Sequence, residues 1–275
     1  MIKPYKISVP KSTLNNIYKK VRSYPWKMMQ NVNGWEYGTN YNFLKKISKY
    51  WVSKYNWKKF ENKINSFKNF KTNVDGINLH FIIEKSKNPK SRPLLLLHGW
   101  PGSVIEFFEI IPRLAHPEKF GGKIEDGFDV IVPSLPGFGF STPIKKALGP
   151  RKIGKILNKF MVKNLGHKNY IVQGGDWGAT IAAWIGLDSA KNCKGIHINC
   201  LPIRHPKGPK NNKEKKWEKK FNLDQIMQEG YRTQQATKPQ SLSYAMIDSP
   251  VGTACLLYTS PSPRDRTRSR MPSSA

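Results

Sequence analysis

Four short, almost wholly apolar runs, Leu94–Leu97, Val130–Val132, Tyr170–Val172 and Ile196–Ile198, constrain the fold of this chain more than any other feature. Helical segments of ten or more residues separate the later runs. Strands that are apolar on both faces and alternate with helices predict a mostly parallel α/β sheet flanked by helices. The 275 residues suffice for one large domain or two modest ones. With 13 Phe, 11 Tyr and 8 Trp, the chain carries too many aromatics for a solvated tail.

Before the sheet, residues 1–70 read as helical. Ser12 is placed to cap a helix in which Leu14, Ile17, Tyr18 and Val21 form one apolar face. Leu44, Ile47 and Trp51 suggest a second helix. Phe70, Thr72 and Val74 then alternate up to Asp75-Gly76, and Ile77, Leu79, Phe81 and Ile83 alternate onward, which predicts a hairpin. Beyond Leu201 the chain turns polar and basic, then helix-like over Asp224–Thr237.

No stretch approaches the roughly 18 apolar residues of a membrane helix, and Met1-Ile2-Lys3-Pro4-Tyr5 lacks the apolar region of a signal peptide. Cys193, Cys200 and Cys255 match neither a disulfide framework nor a metal-site spacing. The formal net charge of +29 would ordinarily point to polyanions. Yet 37 of the 47 basic residues are Lys, scattered among 21 Asn, whereas base and phosphate readers lean on Arg. A solvated basic surface is expected, without a specific nucleic-acid site; Lys207–Lys220 is the densest patch. Cys255–Ala275 breaks composition, with four Arg, five Ser and no Lys or Asn. It reads as non-native sequence, with a native disordered tail as the alternative, and is set aside from the fold.

The chemistry centres on Gly174-Gly175-Asp176-Trp177-Gly178, which follows the apolar strand from Tyr170. Small residues two before and two after Asp176 permit the sharp strand-to-helix turn of a nucleophile elbow. That elbow usually presents Ser. A carboxylate attacking an acyl carbon would give an easily reversed anhydride, whereas displacement at saturated carbon gives an alkyl ester that water can hydrolyse. Epoxides and alkyl halides are therefore the candidate substrates. The plainer alternative is that Asp176 merely caps the following helix.

Leu94–Leu97 leads into His98-Gly99-Trp100-Pro101-Gly102-Ser103. A tight turn there would aim the Trp100 N–H above Asp176, and with the Trp177 N–H it would form a two-donor oxyanion hole. His98 is read as a structural residue bonding the turn. Pro133-Ser134-Leu135-Pro136-Gly137-Phe138-Gly139-Phe140-Ser141 is a Pro/Gly-rich loop after the next strand.

These three motifs, in this order, resemble the α/β-hydrolase epoxide hydrolases of the microsomal and juvenile-hormone type. Trp35-Glu36-Tyr37-Gly38, Phe70-Lys71-Thr72 and Glu229-Gly230-Tyr231 support the narrower likeness, which spans about residues 3–254. The resemblance implies an α/β-hydrolase fold with a helical N-terminal meander and an incomplete helical lid. It implies Asp176 as nucleophile, the N–H groups of Trp100 and Trp177 as oxyanion hole, and Tyr231 as a lid hydrogen-bond donor to the epoxide oxygen. It further implies a small apolar epoxide as substrate, no cofactor, no metal, and peripheral membrane association of the parent protein; family members lie at the endoplasmic reticulum or in the cytosol. The family's catalytic His, its acid partner and its second lid Tyr fall downstream of the likeness, so an inactive fragment is expected. His197 and His205 lie too close to Asp176 in sequence to supply the base, and His197, within its strand, is expected to be buried or packed.

The chain divides on this reading into a meander at 1–90, the first part of the hydrolase core at 91–200, the start of a lid at 201–254 and the tail at 255–275. A haloalkane dehalogenase-like hydrolase shares the Asp nucleophile and the following Trp. A catalytically dead scaffold that binds anionic partners through its Lys-rich surface is the alternative outside enzymes.

Overall fold

The apolar runs become the middle of a seven-stranded sheet. The computed structural model describes residues 1–31, 34–199 and 207–259, and the side chains at 224–229, 231, 232 and 259 lie outside the description. The elements are β1 (Lys3–Pro4), α1 (Lys11–Arg22), α2 (Tyr41–Ser53), α3 (Trp57–Asn65), β2 (Lys68–Val74), β3 (Ile77–Glu84), β4 (Arg92–Leu97), α4 (Ile111–Ala115), β5 (Phe128–Pro133), α5 (Pro150–Lys159), β6 (Tyr170–Gly174), α6 (Trp177–Asp188), β7 (Cys193–Ile198), α7 (Asn212–Thr237), α8 (Pro239–Asp248) and α9 (Pro250–Thr259). The strand order is β1-β2-β3-β5-β4-β6-β7. Strands β5, β4, β6 and β7 run parallel, and β1, β2 and β3 add antiparallel pairs at one side.

Strand periodicity sorts the core. Leu95, Leu97, Ile131 and Phe81 join a buried cluster with Ile153, Leu157, Ile181 and Ile185 of α5 and α6. Their neighbours Leu94, Leu96, Val130, Val132 and Ile82 join another with Ile64 of α3, Phe108 and Ile111. Successive side chains point to opposite faces, and helices cover both, so the central strands are apolar throughout. The β2–β3 hairpin turns at Asp75-Gly76, both at positive φ, the backbone that a two-residue primed turn requires.

Contacts divide the chain into two units, one of Met1–Ser8 with Trp57–Ile203, the other of Val9–Asn56 with Arg204–Ala275. The first holds the sheet. In the second, Val21, Leu44 and Val251 form a small buried cluster joining α1, α2 and α9. Residues 9–56 thus group with the C-terminal helices, whereas the linear partition placed them in a block ending at 90. Helix α9 continues through Cys255–Thr259, and the Thr39 hydroxyl donates to the Cys255 carbonyl at 2.7 Å. The first five residues of the suspected tail are therefore helical; 260–275 lie outside the described residues.

Pro10, not Ser12, occupies the N-cap of α1, and Ser12 sits within the first turn. Ser12 is an adequate cap residue placed two positions past the observed N-cap, because the chain already enters the helix at Lys11. Helix α2 is capped by Asn40, whose side chain accepts from the Phe43 N–H at 2.9 Å. No helix among the described residues is long and apolar enough to cross a membrane.

Candidate active site

Two turns leave the C-terminal ends of the adjacent parallel strands β4 and β6, where Leu97 and Gly174 pair in register. Open α/β sheets place their sites at this end. The first turn carries His98-Gly99-Trp100, and the second carries Gly175-Asp176 into α6. The Trp100 N–H donates to Asp176 Oδ1 at 2.9 Å. Residues 76 positions apart in sequence thereby meet because their strands are neighbours.

Asp176 adopts φ 53° and ψ −124°, in the left-handed half of backbone space, and occupies the N-cap position of α6 without capping it. A strained non-glycine residue costs about 1–3 kcal/mol, which the surrounding structure must supply. The geometry removes the plain capping role, because the carboxylate turns to Trp100 of the other turn instead. The Asp176 side chain is exposed.

Close packing explains the surrounding glycines. A Cβ on Gly99 would lie 2.4 Å from both Cβ and Oδ1 of Asp176. On Gly174 it would lie 2.1 Å from the Gly178 carbonyl oxygen, and on Gly178 2.1 Å from that of Leu97. The small residues read as turn-permitting from the sequence also let α6 begin directly against β4. Gly175 faces Asn199, whose Oδ1 would be 2.5 Å from an added Cβ. Nothing in the local sequence marks Asn199, at the end of β7; only the β6–β7 pairing brings it to the elbow.

His98 is fully buried. Its Nε2 accepts from the Leu135 N–H at 3.0 Å, so Nδ1 carries the proton and donates to the Gly99 carbonyl at 2.9 Å. Burial holds this imidazole below its ordinary pKa, against the opposing pull of the Gly99 carbonyl and the Asp176 charge. Both nitrogens are occupied, as befits a residue that holds the turn. The Trp177 N–H makes no hydrogen bond among the described residues, and its side chain is 50% exposed. The first N–H groups of a helix lack intrahelical partners, so this donor remains open.

His197 corrects the expectation of burial. It is exposed on β7, which ends the strand order among the described residues, and that edge position leaves its side chain to solvent. Tyr231 belongs to α7, but its side chain lies outside the described residues, as do His205 and Cys200. Among the described residues, no cluster of His, Cys, Asp or Glu could hold a metal ion.

The family model described as alpha/beta hydrolase fold matches residues 92–246, and the chain belongs to that family. The model described as Epoxide hydrolase N terminus matches residues 2–107. A Stigmatella aurantiaca protein provisionally named an epoxide hydrolase is 37% identical over 265 residues, covering 94% of this chain and 59% of its own length. Juvenile hormone epoxide hydrolase 1 of Ctenocephalides felis is 33% identical, over 93% of this chain and 59% of its own. Among solved structures, Aspergillus niger epoxide hydrolase superposes with a TM-score of 0.81 at 28% identity, over 93% of this chain and 68% of that one. The chain thus spans about three-fifths of the length of the curated relatives it matches.

Proposed function

We propose that this chain carries the nucleophile half of an epoxide hydrolase. The observation that carries it is the Asp176 carboxylate, presented at a strained elbow, capping nothing and held through Oδ1 by the Trp100 N–H. With Oδ1 engaged, Oδ2 is the oxygen left to attack a saturated epoxide carbon. The C–O bond of the ring breaks, its electron pair passes to the ring oxygen, and a proton from a hydrogen-bond donor, the role the family resemblance gives Tyr231, makes the hydroxyl. A positioned acid of this kind contributes about 10²–10⁴ in rate.

The resulting ester keeps Oδ1 as its carbonyl oxygen, already beside the Trp100 N–H, with the Trp177 N–H as the second donor of this reading. Water adding at Cγ would put negative charge on Oδ1, where two backbone donors stabilise it; one such donor is typically worth about 10²–10³ in rate. Release of the alkoxide, with proton transfer from the water, completes a vicinal diol. The named relatives support an epoxide as substrate, and the lysine-rich surface supports peripheral attraction of the parent protein to anionic membranes.

The covalent ester is the intermediate that tests this reading. Mass spectrometry after mixing with styrene oxide should show one added substrate mass on the Asp176 peptide, absent from Asp176→Asn. Tyr231→Phe should slow its appearance. An adduct that remains in Asp176→Asn would remove Asp176 as the nucleophile.

A further inference from the structure

We propose that His80 is a positioning residue for Asp176: it clamps the Ser134–Ser141 loop, which through His98 fixes the Trp100 N–H on the carboxylate. This rests on Asp176 being the attacking group. His80 touches neither that carboxylate nor any substrate; it acts through two turns of chain.

His80 lies on β3, and its carbonyl accepts from the Ser134 N–H at 2.9 Å where the chain leaves β5. Asn69 donates both amide hydrogens, to the Ile64 and Phe67 carbonyls at 2.8 Å each, so its Oδ1 faces His80 Nε2 at 3.0 Å as an acceptor. His80 Nε2 therefore carries the ring proton. Its Nδ1 then accepts from the Ser134 hydroxyl at 2.9 Å. The far end of the loop is held as well. Ser141 Oγ accepts from the His80 backbone N–H at 2.9 Å and donates to the Ser134 carbonyl at 2.8 Å. Phe140 packs edge-on against the imidazole at 5.1 Å.

The same loop grips the second buried imidazole. The Leu135 N–H reaches His98 Nε2, and Phe138 crosses the His98 ring at 5.4 Å. His98 Nδ1–H then holds the Gly99 carbonyl, and that carbonyl belongs to the peptide whose N–H is the Trp100 donor to Asp176. Asn69, His80, Ser134, Ser141 and His98 are all buried. Buried hydrogen bonds of this kind are costly to leave unmade, so displacing one end moves the other. A displacement of about 1 Å far from the reacting atoms can cost up to about 10² in rate.

The test compares His80→Phe, which fills the space without the nitrogens, with His80→Gln, whose amide can still accept from Ser134 and donate to Asn69. Amide hydrogen exchange at Trp100 and Leu135 is read against Val172 on β6, which reports global opening. Expected in His80→Phe is exchange about tenfold faster at Trp100 and Leu135 with Val172 unchanged, restoration in His80→Gln, and slower styrene oxide adduct formation in step. Unchanged Trp100 protection relative to Val172, or a Gln variant no different from Phe, overturns the relay. Should His80→Phe fail to fold, Ser134→Ala cuts the same link while leaving the ring in place: faster exchange at Trp100 and Leu135 supports the relay, and unchanged exchange overturns it. A wild-type chain that forms no adduct removes the nucleophile assignment instead, so the two failures are distinguishable.

Discussion

A carboxylate on a helix N-terminus is ordinarily a cap, and what sets Asp176 apart is the contact it makes in place of capping. Gly99 packs so close to it that any side chain there must displace the carboxylate or the turn. Gly99→Ala should therefore slow styrene oxide adduct formation by about 10² or more while far-ultraviolet circular dichroism stays native. His80 makes a separate prediction. Burial, with a smaller contribution from Lys71, holds its pKa at about 3. The native state thus keeps it neutral while the unfolded chain takes up a proton below about pH 6.5. The unfolded state binds more protons in that window, so the stability is present above it and is lost as pH falls from about 6.5 towards 3. Each pH unit there costs up to about 1.4 kcal/mol. Urea midpoints between pH 7 and 5 should fall in the native chain and fall less in His80→Gln. His98 adds in the same direction.

Among elements, two glycines separate backbone conformation from packing. Gly76 closes the β2–β3 hairpin at φ +81°, with nothing within 4 Å of an added Cβ. Gly76→Ala should then cost only the left-handed backbone, about 1–2 kcal/mol. Gly178, by contrast, starts α6 against the Leu97 carbonyl, and backbone cannot retreat as a side chain can. Gly178→Ala should lose more stability than Gly76→Ala by urea denaturation, and lose the adduct with it; equal costs would mean that the helix start yields easily. The hairpin was legible from alternation and Asp75-Gly76 alone, since both are local. The start of α1 was not: Ser12 is the better cap residue by local preference, yet the helix begins from Pro10 without a side-chain cap, against that preference. The exposure of His197 depends on what lies beside β7, and local pattern carries no such information.

At the scale of the whole molecule, the net charge of +29 is spread over lysines rather than focused in an arginine-lined groove. Attraction to polyanions should then be real and unspecific. Heparin, single-stranded DNA and duplex DNA should retain the chain alike in low salt, and about 1 M NaCl should release it from all three, since the Debye length there shrinks to about 3 Å. Strong preference for one of them would reveal a specific site. The grouping of Val9–Asn56 with the C-terminal helices is a further matter of the whole chain: α1 and α2 meet α9 through Val21, Leu44 and Val251, which come from opposite ends of the sequence.

The sequence by itself determined the class of fold and singled out Asp176 as the proposed attacking group. Strand and helix periods, and the tolerance of glycine for a sharp turn, are properties of neighbouring residues, so apolar runs and Gly-Gly-Asp-Trp-Gly express them directly. Only the tertiary structure decided that Asp176 answers to Trp100, that Asn199 backs the elbow, and that His80 and His98 grip one loop from two sides. Those are contacts between distant segments, set by which strands lie side by side and which polar groups are shut away from water, and burial turns an ordinary histidine into a fixed, neutral tether.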